Sequence, residues 1–222
     1  MQVLIDNLPE IIDGFEKTLW LLFFSGAIAL VLGTVLAAMR VSPVTVMRGA
    51  GTSYVNVFRN TPLLLILLIF TYALPPIGFT YDVSDYFNFQ FVAAMTGMGL
   101  YTAAFVCEAI RSGVNSIPVG QAEAARALGM TFTQSMGSVI LPQAFRAVIP
   151  PLANTYISLA KNTSVALAIG VTEASFALVK LRNDNVSDQW WIFGGVAAGY
   201  VLIVLAISAL AAVAERMWRV AR

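Results

Sequence analysis

Thr18 to Met39 reads TLWLLFFSGAIALVLGTVLAAM, without one charged side chain. A helix needs about 20 consecutive, mostly apolar residues to cross the hydrocarbon of a bilayer. A membrane β-strand would instead alternate apolar and polar positions over about ten residues. The apolar residues here are continuous, so the stretch predicts a crossing helix. Working outward, four further segments have the same character, at about 56–75, 89–110, 148–171 and 190–213. Hydrophobic residues make up 59% of the chain and charged ones 11%. A water-soluble domain carries about 25% charged residues, so this chain lacks the charge to cover a solvated surface. The expectation is an all-α integral membrane protein, a single transmembrane domain over 1–222 with about five spans.

The basic residues orient these spans. Arg40, Arg48, Arg59, Arg111, Arg126, Arg146, Arg216, Arg219 and Arg222 fall on one side of the predicted topology. Only Lys17, Lys180 and Arg182 fall on the other, and Lys161 lies within a span. Positively charged loops stay in the cytoplasm, which predicts the N-terminus outside and the C-terminus inside. Most carboxylates, among them Asp6, Asp13, Asp82 and Asp85, fall outside, although acidic residues weigh little in that rule. Met1 to Glu10 lacks a basic leader and no small-residue cleavage site follows, so the first apolar run reads as a retained span. Trp190, Trp191, Tyr81 and Tyr86 at the outer boundary and Trp218 at the inner one suit an aromatic belt.

The chain contains no histidine and one cysteine, Cys107. Histidine triads, histidine metal sites, internal disulfides and CxxC metal sites are therefore excluded. No catalytic or metal-ligating set is expected, and Cys107 reads as a small packing residue. No basic tract points to nucleic acid. No G-x-x-x-x-G-K-[ST] occurs, so the chain binds no ATP through a P-loop.

The longest hydrophilic connection, 111–146, has the composition of ordered structure. Ser116 and Pro118 suit a helix start, and QAEAARAL from Gln121 to Leu128 is made of strong helix formers. Gly129 suits the position that ends a helix. Thr131 with Gln134 matches a capping box for a second short helix, with Pro142 as its expected stop. A structured loop on the cytoplasmic face implies a docking partner. The outer segment 172–189 is amphipathic enough for a short surface helix.

One spaced pattern within that loop is specific. Glu123-Ala124-Ala125, three residues, Gly129, nine residues, then Val139-Ile140-Leu141-Pro142 resembles the EAA signature of ABC-importer permeases, with Val139 where isoleucine is usual. Arg59-Asn60-Thr61-Pro62-Leu63-Leu64 looks like the R-x-T-P-L-L segment of the polar amino acid subfamily. Lys161-Asn162-Thr163-Ser164 looks like its K-[DN]-[ST]-S segment, and Glu108-x-x-Arg111-x-Gly113 also fits. The chain thus resembles a transmembrane subunit of a bacterial ABC importer of that family, most of all its glutamate permeases.

The resemblance implies a type I ABC importer permease fold in the bacterial plasma membrane, with a cytoplasmic coupling helix. It implies two ATP-binding subunits docked at Glu123, Ala124, Ala125, Gly129, Leu141 and Pro142. These partners would hold the ATP and magnesium, and this chain would carry no cofactor. A second permease subunit, identical or related, and an extracytoplasmic solute-binding protein complete the expected assembly. The substrate would be a polar amino acid, with glutamate ahead of glutamine and basic amino acids.

For the pathway, Lys161, Asn162, Thr163, Ser164, Arg59 and Thr61 are the candidates. A charge at mid-span costs roughly 2.5 kcal/mol or more, so Lys161 should face a cavity, a pore or a partner charge. Two readings stay open for it: contact with a substrate carboxylate, or a structural pairing such as one with Glu108. Glu108 and Arg111, at i,i+3, are expected to pair with each other. The rival class is a secondary, ion-coupled transporter. Few spans, no repeat and few intramembrane carboxylates stand against it.

Overall fold

The computed structural model describes residues 2–80 and 87–217. Tyr81, Asp82, Asp85, Tyr86, Trp218, Arg219 and Arg222 lie outside the described residues. Among those described there are helices and no strands. A short α1 (Gln2–Asp6) precedes the long α2 (Leu8–Val41), followed by α3 (Thr45–Asn60), α4 (Leu63–Leu68) and α5 (Phe89–Asn115). Two short helices, α6 (Val119–Ala127) and α7 (Phe132–Ser135), lead to α8 (Leu141–Asn162), α9 (Ala174–Asp184) and α10 (Gln189–Met217).

Three single helices, within Leu8–Val41, Phe89–Asn115 and Val186–Met217, are long and apolar enough to span. At 34 residues, α2 is about 50 Å long by the helical rise. It exceeds a hydrocarbon layer of about 30 Å, so its ends project. The other two expected spans are broken. Leu63–Ala73 lies at 103° to Thr45–Asn60, and Ala174–Asp184 at 56° to Phe132–Ile169.

The expected segment 56–75 is therefore not one helix. Its first residues belong to α3, and the chain turns at Thr61 and Pro62. Pro62 lacks the N–H a continuing helix needs and disfavours helical geometry in the residue before it. Thr61 stands there in extended conformation, and its hydroxyl donates to the Val57 carbonyl (2.8 Å). Likewise 148–171 is one part of a longer element. Pro142 starts α8 rather than stopping a helix, because a π-helical turn, Met136–Ile140, carries the chain into it. The missing proline N–H is harmless at a first helical turn. Beyond Asn162 the helix tightens to 3-10 geometry over Thr163–Ile169 and ends at Gly170.

The core sits between α2, α5 and α8. Leu21, Leu67, Met98 and Leu159 form its outer part with Ala166 and Ile169. Leu36, Val55, Ala103 and Cys107 form the part nearer the Arg40 end, and Cys107 is fully buried as a packing residue. Helix–helix contact in a bilayer relies on small residues that let backbones approach. A Cβ at Gly33 would stand 2.6 Å from Val106, and one at Gly113 would stand 2.7 Å from the backbone of Val148. By contrast α10 leaves most of its apolar side chains uncovered, Leu202, Leu205 and Leu210 among them, as suits a helix bathed in lipid.

The two ends of the bundle differ in charge. Arg40, Arg59 and Arg111 gather around Glu108 at one end. Lys17 pairs with Asp13 (2.8 Å) and Lys180 with Glu10 (3.0 Å) at the other. The fold thereby brings together the residues that the charge pattern assigns to each side.

Candidate functional site

Along α8, polar side chains recur at Asn154, Ser158, Lys161 and Asn162. Spacings of four and seven residues put them on one face, since each residue advances the helix by about 100°. Asn154, Ser158 and Lys161 are exposed and Asn162 is half-buried. The opposite side of the same helix is fastened inward. Leu159 and Ala160 are buried, and the Tyr156 hydroxyl donates to the Gly26 carbonyl of α2 (2.8 Å). A polar face at bilayer depth costs too much against lipid, so it belongs on a water-filled cavity or against protein.

A cavity of about 350 Å³ opens on that face. Tyr101, Thr102 and Phe105 of α5 form one wall, and Asn154, Ser158 and Asn162 of α8 form the other. This volume is ample for a free amino acid with some of its water. The wall offers hydroxyls and amides, which donate and accept, between aromatic rings. No charged side chain lines it. Nearby, Pro150 and Pro151 lie inside α8 and remove two N–H donors from its ladder. The helix is thereby weakened one turn before the polar face begins.

The four consecutive candidates Lys161 to Ser164 do not act as a block. Consecutive helical residues point in different directions, and only Asn162 lines the cavity. Lys161 is exposed and forms no ion pair among the described residues; Glu108 is engaged elsewhere. Thr163 is fully buried, its hydroxyl donating to the Ala160 carbonyl (2.7 Å). The Ser164 hydroxyl donates to the Lys161 carbonyl (2.7 Å). Arg59 lies over the Phe105 ring, 5.7 Å from its centroid, behind the cavity wall. Thr61 closes the end of α3. Asn154, Ser158, Thr102 and Tyr101 were not singled out from the sequence. The polar repeat 154–158–162 inside an apolar run was the signal that could have found the first two.

The connection after α5 forms a projecting pair of short helices. α6 starts at Pro118 and its last turn closes with Gly129 at φ +79°. The capping box at α7 is present, with the Gln134 N–H bound to the Thr131 hydroxyl and the Thr131 N–H to the Gln134 side chain. Glu123 and Ala124 are exposed. Glu123 forms no ion pair with Arg126, nor with any other described residue. Ala125 turns inward and is buried, so it holds α6 to the chain itself. On the same segment Val119, Leu128 and Phe132 are 74%, 83% and 74% exposed. Leu141 lines an apolar groove with Ile110, Val114 and Phe145, and Pro142 is half-buried at the start of α8.

Residues 29–219 match the family described as binding-protein-dependent transport system inner membrane component. The chain belongs to that family. Within it, the chain is 41% identical over 215 residues to the glutamate transport system permease protein GluC of Corynebacterium efficiens, covering 94% of each. It is 41% identical over 208 residues to the probable glutamine ABC transporter permease protein GlnM of Bacillus subtilis, covering 94% of this chain and 93% of the relative. Among solved structures, an amino acid ABC transporter superposes with a TM-score of 0.83 at 29% identity, covering 96% of both chains. The methionine transporter MetNI superposes with a TM-score of 0.71 at 21% identity, covering 96% of this chain and 98% of that one, a likeness of fold.

Membership in the inner membrane component family makes the chain an integral protein of the bacterial plasma membrane with the type I permease fold. It makes it the membrane-embedded subunit of a binding-protein-dependent transport system. Partners of two kinds, an ATPase and a binding protein, follow from the family.

Proposed function

We propose that α6 and α7 are the socket for the ATPase and that the α5–α8 cavity is this subunit's share of the amino-acid pathway. The observation that carries this reading is the exposed α6–α7 pair: a carboxylate without an ion-pair partner at Glu123, with Val119, Leu128 and Phe132 also exposed on the same short segment. Apolar side chains grouped this way on a projecting polar segment mark a protein contact surface. Ala124 keeps the helix slim enough for close approach, and Glu123 offers an ion pair to a basic residue of the partner. The Arg40–Arg59–Arg111 end faces the cytoplasm, and the Lys17–Lys180 end faces outward to the solute-binding protein. Two such chains, or this one and a related one, bring their polar α8 faces together across a shared path. Two ATPase subunits bind below, and their closure tilts α8 through α6. Glutamate, the substrate in the name of the Corynebacterium relative, leads among the polar amino acids.

The test is cysteine labelling with uptake. Val119→Cys should react with a membrane-impermeant thiol reagent only in inside-out vesicles. Glu123→Arg combined with Leu128→Asp should leave the membrane protein folded while uncoupling nucleotide hydrolysis from amino-acid uptake. Labelling from outside, or full coupling in the double variant, would refute the reading.

A further inference from the structure

A second cavity, of about 330 Å³, lies between the start of α2 and α9, at the Lys17–Lys180 end of the bundle. Glu10, Asp13, Gly14 and Lys17 line it from α2, and Phe176, Ala177 and Lys180 from α9, with Thr172 just before α9. Spacings of three, four and seven residues put the α2 members on one face of that helix. Gly14 forms the floor, where a Cβ would stand 3.0 Å from the Ala174 backbone. Thr18 and Glu173, next in the chain to Lys17 and Thr172, meet in the buried layer beneath (3.4 Å). The charged groups thus stand around a chamber with a fixed base.

Two ammonium groups and two carboxylates face this chamber. The Lys17 ammonium donates to Asp13 (2.8 Å) and to the Thr172 hydroxyl (3.2 Å). Lys180 stands 3.0 Å from Glu10, an ion pair between α9 and α2. Lys17 is 20% exposed, Glu10 33%, and Asp13 and Lys180 55% each. Ion pairs this open to water contribute little net, so exchanging their partners costs little. An ammonium carries three donors and a carboxylate about four acceptor positions. The two pairs use only part of that capacity.

The signs of the lining select the ligand. A simple anion would meet the two carboxylates, and a metal cation would meet the two ammonium groups. A molecule with an ammonium and a carboxylate on one carbon suits all four. We propose that this cavity is a site for the α-amino and α-carboxylate groups of a free amino acid. The ligand carboxylate lies between Lys17 and Lys180, its ammonium between Glu10 and Asp13, and its side chain toward Phe176 and the open mouth. The site reads what every amino acid shares, in contrast to the uncharged α5–α8 cavity. When occupied, it replaces the direct Lys180–Glu10 bridge between α9 and α2 by a bridge through the ligand. Its placement on the outer face rests on the orientation proposed above; the binding itself does not.

Saturation-transfer NMR of the purified permease–ATPase complex in nanodiscs tests this, with L-alanine, N-acetyl-L-alanine and L-alaninamide as probes. Alanine should saturate the native complex. Each analogue keeps one of the two charges and should need roughly tenfold more, the loss of one charge-assisted hydrogen bond. Lys180→Gln and Glu10→Gln should each weaken alanine by a similar factor and leave the melting temperature of the complex unchanged, since the exposed pair adds little stability. Asn162→Ala, in the α5–α8 cavity, should leave alanine binding unchanged. Full affinity in both charge variants, equal binding of the three probes, or no saturable alanine binding by the native complex would each overturn the site. Loss of alanine in Asn162→Ala alone would also overturn it while leaving the pathway reading standing. Glycerophosphoethanolamine displacing alanine at lower concentration than alanine itself requires would make a lipid headgroup the occupant and overturn the amino-acid assignment.

Discussion

Replacing Glu173 by alanine probes the joint that holds the outer half of the bundle. Glu173 is fully buried. It caps α9, accepting from the N–H groups of Ser175 (2.9 Å) and Phe176 (3.2 Å). It also accepts from the Tyr200 hydroxyl of α10 (2.7 Å). The Thr18 hydroxyl of α2 lies 3.4 Å from the same carboxyl group, receives the Ala174 N–H (3.1 Å) and donates to the Gly14 carbonyl (3.0 Å). One side chain therefore ties three helices together.

The alanine variant loses a helix cap, about 1 kcal/mol. It also takes the carboxylate acceptor from the Tyr200 hydroxyl, leaving it the Ser175 hydroxyl (3.0 Å), and leaves a void, together adding about 2 kcal/mol. A loss of about 3 kcal/mol, at 2–4 °C per kcal/mol for a chain of this size, lowers the apparent melting temperature by roughly 6–12 °C. Size-exclusion chromatography of the detergent-solubilised protein after heating reads this directly. Tyr200→Phe alone should cost less, and the double variant should cost less than the sum, because the two share one bond. A Glu173→Ala melting temperature within roughly 2 °C of the parent would refute the claim that this carboxyl group joins α2, α9 and α10.

Three further outcomes follow from the geometry. Gly129→Val places a branched residue at φ +79°, at a cost of roughly 1–2 kcal/mol, and should lower uptake per ATP hydrolysed without reducing the yield of assembled complex. Gly113→Leu cannot be accommodated where even a Cβ meets the Val148 backbone at 2.7 Å, so monodisperse protein should be lost from chromatography. Lys161→Ala should abolish amino-acid transport while the complex still assembles; normal uptake by that variant would remove Lys161 from the pathway.

The long apolar helices α2, α5 and α10 were legible because each is a continuous apolar run, and length is a one-dimensional property. The capping box at Thr131 and the helix end at Gly129 were equally local, and the structure has both. What the sequence hid is relational. The turn at Thr61–Pro62 was quoted as a motif, but nothing local says that α3 leaves it at 103°. Lys161 to Ser164 were grouped as neighbours in sequence, whereas helical rotation scatters them and joins Asn162 to Asn154 and Ser158. Glu173 falls in the outer segment 172–189 that the sequence places between two expected spans. Its burial depends on Thr18 and Tyr200, which are far away in the chain. The pairing of Glu108 with Arg111 was readable at i,i+3, but not its tighter bond to Arg40.

The two broken elements bear directly on the proposed path. Leu63–Ala73 is roughly 16 Å long at the helical rise, too short to cross alone. The 3-10 segment Thr163–Ile169 likewise leaves helical carbonyls unpaired in the usual register. Irregular backbone at bilayer depth is tolerated only inside protein or beside water. Here the two segments pack on each other, with Leu63 and Leu67 sharing one core with Ala166 and Ile169. Each irregularity is thereby kept from lipid by the other. Both adjoin the ends of the elements that hold the candidate groups: Arg59 just before the α3–α4 turn, Asn162 just before the 3-10 segment. A tilt of α8 transmitted from α6 would pivot where its ladder is weakest, at Pro150–Pro151 and at Gly170. Glu173 on Tyr200 holds the flank beyond Gly170, and Tyr156 on Gly26 ties α8 to α2 between the two pivots. In such a tilt the polar face of α8 would swing about its contact with α2, with α2 and α5 as the frame.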